Sequence, residues 1–170
     1  RQMLGLAIQN SISTYLLNLL ASTALALAAL SQEHGGLLHP LAWLVCAALV
    51  NVSPFLLLRP HARTMAFVEE ARAYHRVERL HFWGVILTGC GWTVGVLLYG
   101  PSGDTDFRLF TAAVIAGIGA GAVPKLAGAT PYFEWFLGLT VVPLMIVCLI
   151  SGTTLDYLIS ASAVLYVVGM

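Results

Sequence analysis

The chain has little charge. Only 9% of its 170 residues are Asp, Glu, Lys or Arg, and the two signs cancel to a formal net charge of zero, where soluble domains carry roughly 25% charged residues. A neutral chain with its cations gathered in one block has no long-range field with which to recruit nucleic acid, so no nucleic-acid partner is expected. Cysteine is scarce as well. Cys46, Cys90 and Cys148 stand far apart inside apolar runs, a spacing that fits neither a disulfide framework nor a zinc or redox motif. The sequence contains no G-x-S-x-G, no H-E-x-x-H, no phosphate-binding loop and no paired catalytic carboxylates. No catalytic residue, metal site or cofactor is therefore read from it.

What the chain has in abundance is hydrocarbon: 59% of its residues are hydrophobic, which excludes a soluble globule. In lipid every backbone polar group needs an internal partner, so the choice lies between helices and a closed barrel. Long apolar runs without alternation select helices. The expected fold class is all-α, a polytopic membrane protein built as a six-transmembrane-helix bundle. A crossing takes about 20 apolar residues, and six stretches reach or approach that length: 9–30, 40–58, 80–99, 107–129, 131–150 and 155–170. The first is too long for the apolar region of a signal peptide and lacks a clear cleavage site, so it reads as a retained span. Pro40 suits a first helical turn, and Pro54 is expected to kink the second helix. Thr153, three residues before Asp156, gives the sixth helix a start resembling a capping box. The chain opens at Arg1 and reaches Met170 still inside an apolar run, so it is expected to continue past Met170.

Orientation follows from the cations. The polar stretch Arg59 to Arg79, RPHARTMAFVEEARAYHRVER, holds five of the eight Lys and Arg residues. With the N-terminus inside, Arg1, Arg59, Arg63, Arg72, Arg76, Arg79 and Lys125 fall on the cytoplasmic side and Arg108 alone outside, as short cytoplasmic loops require. Both termini are then cytoplasmic. The basic stretch at 59–79 reads as a helix or loop that sets topology and meets the headgroups of membrane lipid, its charge tempered by Glu69, Glu70 and Glu78. Spans one to three and four to six do not match in loop length, proline position or charge, which removes the internal repeat that many transporters show.

Few residues stand out for chemistry. Gly91-x-x-x-Gly95 and Gly117-x-x-x-Gly121 are small-x-x-x-small faces, expected to pack the third helix closely against the fourth. Lys125 and Glu134 are a suggestive charged pair, since ionisable groups near a membrane core are costly and usually functional. They also sit where a cation and an anion complement the ends of two successive helices. Trp92 and Trp43 lie within spans rather than at their ends, where they either fill core space or line a cavity. Of the histidines, His34 and His39 lie in the outer loop, where they could hold a metal, and His61, His75 and His81 lie in or beside the basic stretch.

From Tyr74 onward the order of features resembles the six-span MASE-like membrane modules that precede GGDEF, EAL or histidine-kinase domains in bacterial sensory proteins. The resemblance is carried by Arg79-Leu80, FWGVILTGCGW ending at Trp92, AGIGAGAVPKLAGATPYFEWF from Ala116, and LTVVPLMIVCLISG from Leu139 to Gly152. Pro131, Phe133 and Pro143 occupy the Pro-x-Phe start and the later proline of the fifth helix. The resemblance implies a sensor in the bacterial inner membrane that responds to an unidentified small-molecule or lipid-like signal. It implies an output domain after residue 170, a diguanylate cyclase, a cyclic di-GMP phosphodiesterase or a histidine kinase, and it leaves room for a homodimer. On that reading Trp92, Lys125 and Glu134 are the signal-sensing candidates. The alternatives are a small transporter, channel or membrane enzyme without an output domain, and a haem or copper redox protein using His34 and His39.

Overall fold

In a computed structural model the structure describes residues 2–31, 38–64, 71–126 and 130–169, with side chains described for 15–31, 38–53, 56–57, 75–76, 78–122 and 132–169. The described residues form helices and no strand: α1 Gln2–Ser31, α2 Leu38–Thr64, α3 Ala71–Tyr99, α4 Thr105–Leu126, α5 Thr130–Ser151 and α6 Thr154–Gly169. Among the residues with described side chains, two helical stretches, Glu78–Tyr99 and Tyr132–Ser151, are long and apolar enough to cross a membrane, and Tyr15–Ser31, Leu38–Ser53 and Thr154–Gly169 are shorter apolar stretches.

The helix ends have local causes. Asp104 caps α4, its Oδ1 accepting the Phe107 amide at 2.8 Å, and Asp106 adds an acid to the first turn, where it complements the helix dipole. Gly152 ends α5 with φ of 73°, a left-handed conformation that side chains resist, and its amide returns to the Cys148 carbonyl at 3.2 Å. Two helices extend beyond the spans expected of them. The helix of α2 continues past residue 58 to Thr64, and α3 begins at Ala71, nine residues before the expected span. In α3 the basic stretch supplies a helical stripe that needs no lipid to form. Helical backbone also runs through Pro54 and Pro143.

Five helices close a ring in the order α1, α2, α3, α5, α4, and α6 stands outside it against α4 and α5. Helices α3 and α5 run parallel, with Phe82 beside Tyr132 near one end and Gly100 beside Val147 near the other. Side chains tie the ring through backbone carbonyls, a mode suited to apolar surroundings. The Trp43 indole N–H on α2 donates to Gly91 on α3 at 3.3 Å, and the Thr93 hydroxyl donates to the Leu139 carbonyl on α5.

The buried residues are mostly apolar but include several polar ones, and large apolar side chains cover much of the outside. Asn18, Ser22, Asn51, His81, Thr88, Arg108, Thr111, Thr140, Asp156 and Ser160 are all buried, while Leu20, Leu49, Ile150 and Leu165 are each at least 65% exposed.

Candidate functional site

The most developed polar site is where the α3–α4 turn meets the start of α6. Arg108, in the first turn of α4, is 6% exposed, and Asp156, in the first turn of α6, is fully buried. The guanidinium and carboxylate meet side by side, Nε to Oδ1 at 2.8 Å and Nη2 to Oδ2 at 3.0 Å. The remaining donors are also occupied. Nη1 donates to the carbonyls of Gly103 and, at 3.4 Å, Gly100, and Nη2 reaches the Thr105 hydroxyl at 3.3 Å. Each of the five guanidinium N–H groups thus has an acceptor.

The carboxylate is completed by Thr153, whose hydroxyl donates to Oδ2 at 2.6 Å and accepts the Asp156 amide at 3.2 Å. Thr153 therefore caps α6 as its spacing suggests, with one difference. In a capping box the acid reaches back to the backbone of the capping residue, and here Arg108 engages that acid as well. A buried pair is retained only when its desolvation is offset by such complete hydrogen bonding. The pair itself is a fastener: both charged groups are buried and hydrogen-bonded, with the buried Cys148 thiol close to both.

No family model, curated protein or solved structure matches the chain.

The residues singled out from sequence fall elsewhere. Trp92 is 2% exposed, edge-on to Trp43 at a centroid distance of 6.1 Å. The gap that it shares with Ile115, Ile118, Phe136 and Thr140 is too small to admit water, so the indole lines no ligand cavity there. Glu134 is exposed on α5 and is not brought together with Trp92. The side chain of Lys125 lies outside the described residues, as does His34. Gly95 packs closely, but against α2: a Cβ there would lie 2.7 Å from the Trp43 ring, and one on Gly91 would touch Val50 at 3.7 Å. The glycine face of α3 therefore meets α2 rather than α4. A Cβ on Gly117 would meet nothing within 4 Å and one on Gly121 only Leu17 at 3.9 Å, whereas Gly119 between them lies under the Tyr166 hydroxyl of α6, where a Cβ would sit at 2.5 Å.

Two features escape a reading of the sequence. Arg108 counts there only as the lone outer cation, because its partner lies 48 residues away. His81, placed beside the basic stretch, is in fact buried at 2% exposure with its ring 5.9 Å from that of Tyr132, and neither ring nitrogen has a hydrogen-bond partner among the described residues.

Proposed function

We propose that the chain is a six-span module of the bacterial inner membrane, with both termini cytoplasmic, that detects a signal and passes it through α6 to a cytoplasmic output domain, a diguanylate cyclase or a histidine kinase. The exposed surface supports the membrane setting, since large apolar side chains such as Leu20, Leu49, Ile150 and Leu165 cover the outside. The observation that carries the signalling reading is the position of α6. It lies outside the ring and is fastened to the α3–α4 turn by Arg108 and Asp156. A stimulus that favours one setting of that fastening over another shifts α6, and nothing in the ring need unfold for it to do so. The motifs that resemble sensory modules agree with this reading.

The test is a fusion of the chain to a diguanylate cyclase catalytic domain, with cyclic di-GMP measured in cells. Arg108→Met and Glu134→Gln are each expected to change the output at least threefold at equal membrane abundance. Unchanged output in both refutes the signalling role. Reporters inserted in the 32–37 and 65–70 connections are expected on opposite sides of the membrane, and reporters on the same side refute the six-span topology.

A second reading, an ion or proton path, is favoured by one observation. Oδ1 of Asn18, Oδ1 of Asn51, the Tyr15 hydroxyl and both nitrogens of His81 are buried without a hydrogen-bond partner among the described residues, and polar groups so placed in a membrane usually serve function. Flux into vesicles that is lost in His81→Phe would establish it.

A further inference from the structure

Between α4, α5 and α6 lies a cleft of about 390 Å³ that opens sideways on the bundle surface. Against α4, α6 is fastened at two separated points. At one end is the Arg108–Asp156 pair. At the other the Tyr166 hydroxyl donates to the Ala116 carbonyl at 3.0 Å, passing over Gly119. Between these points α4 and α6 offer small residues, Ala112, Ala113, Ala116, Ser162 and Ala163, where larger side chains would have filled the gap. Exposed Leu109, Leu155 and Leu158 form the rim.

The shape of the cleft limits what can fill it. Its lining runs from Leu109 to Ala116 on α4 and from Leu155 to Tyr166 on α6, or about 10 Å and about 16 Å at 1.5 Å per residue. The volume suits roughly a dozen methylene groups, each taking about the 30 Å³ that a water molecule occupies in the liquid. The lining is almost wholly apolar, its polar groups being the Ser162 hydroxyl and the Tyr166 hydroxyl, the latter already engaged by Ala116.

We infer that this cleft is a binding site for one acyl chain of a bilayer lipid, held between α4 and α6. The inference rests on the membrane reading above and names the ligand class at α6. Lipid enters from the side, where the rim leucines meet the bilayer, and its chain supports α6 between the two fastened points.

The experiment uses the full chain reconstituted in vesicles of phosphatidylcholine carrying a photoactivatable diazirine on one acyl chain. Flotation with the vesicles comes first, and a chain that stays behind overturns the membrane reading itself. Given flotation, adducts are expected on the recessed residues Ala112, Ala116 and Ala163. Adducts confined to outward residues such as Leu149 and Ile150 overturn the inference and leave the membrane reading standing. So does a crosslinked dimer with no lipid adduct in the cleft. In Ala112→Trp the indole fills the cleft, and recessed adducts should fall at least fivefold while those on Ile150 persist. Equal labelling of Ala116 and Ala163 in that variant overturns the assignment. If Ala112→Trp does not fold, the map on the unmodified chain decides alone.

Discussion

Replacing Arg108 by methionine tests the fastening of α6 most directly, because it keeps much of the side-chain volume and removes every donor. Asp156 would stay fully buried with Thr153 as its remaining side-chain partner, and the carbonyls of Gly100 and Gly103 would lose the guanidinium. Removing one member of a buried pair costs about 3–5 kcal/mol, because the other charge is left uncompensated. For a chain of this size that corresponds to a fall in melting temperature on the order of 10 °C. Replacing both members by apolar residues should be far milder, since no charge is then left behind. Melting curves followed by helical circular dichroism in a mild detergent would compare Arg108→Met, Asp156→Leu and the double variant. The double variant is expected to recover most of the loss, a coupling well above experimental error. Single losses below about 1 kcal/mol, the level of an exposed pair, together with additive effects, would refute the reasoning.

Three further outcomes follow from glycines with specific neighbours. Gly95→Ala should destabilise by about 1–3 kcal/mol, the usual result of overpacking, because its Cβ would lie 2.7 Å from a Trp43 ring held by the Gly91 carbonyl; the same melting assay reads it. Gly152→Ala should cost about 1 kcal/mol or more, since φ is 73°, and Gly152→Asn less, because asparagine tolerates the left-handed region. Tyr166→Phe should cost about 1 kcal/mol by losing its bond to Ala116. Gly119→Ala should then cost less in the Tyr166→Phe background than in the parent, because the hydroxyl 2.5 Å from its Cβ position is gone, and a double-mutant cycle measures that difference.

Much of the architecture is legible in the sequence because apolar runs and turn clusters are local. The helices and their order follow from them, and Thr153 with Asp156 marks the start of α6. The end of α2 is not legible, because hydropathy reports where a helix meets hydrocarbon and not where its backbone bonding stops, whereas the basic stretch, read as a helix or loop, does supply the first turns of α3. Partners are harder still. A glycine face announces close approach but not the neighbour, so the spacing of Gly91 and Gly95 points to α4 when the face meets α2 through Trp43. Arg108 and Asp156 each have a sufficient local explanation, one as a loop cation and one as a capping residue. Their pairing depends on bringing together two turns 48 residues apart, which no local pattern records. His81 reads as a residue beside the basic stretch at the start of the 80–99 span, and no local pattern shows that its ring is buried.

The connection into α6 consists of Gly152 and Thr153 alone, so the helix can tilt as a rod about the Arg108–Asp156 pair. Its 16 residues make a lever about 24 Å long. A tilt of about 10° moves the far end by about 4 Å and the Tyr166 position by about 3 Å, enough to part a hydroxyl from a carbonyl that starts 3.0 Å away. The two attachments are therefore unequal. The charged one is the stronger and the neutral hydrogen bond at Tyr166 the weaker, and on the other side the Ser160 hydroxyl reaches the Met145 carbonyl of α5 at 3.4 Å.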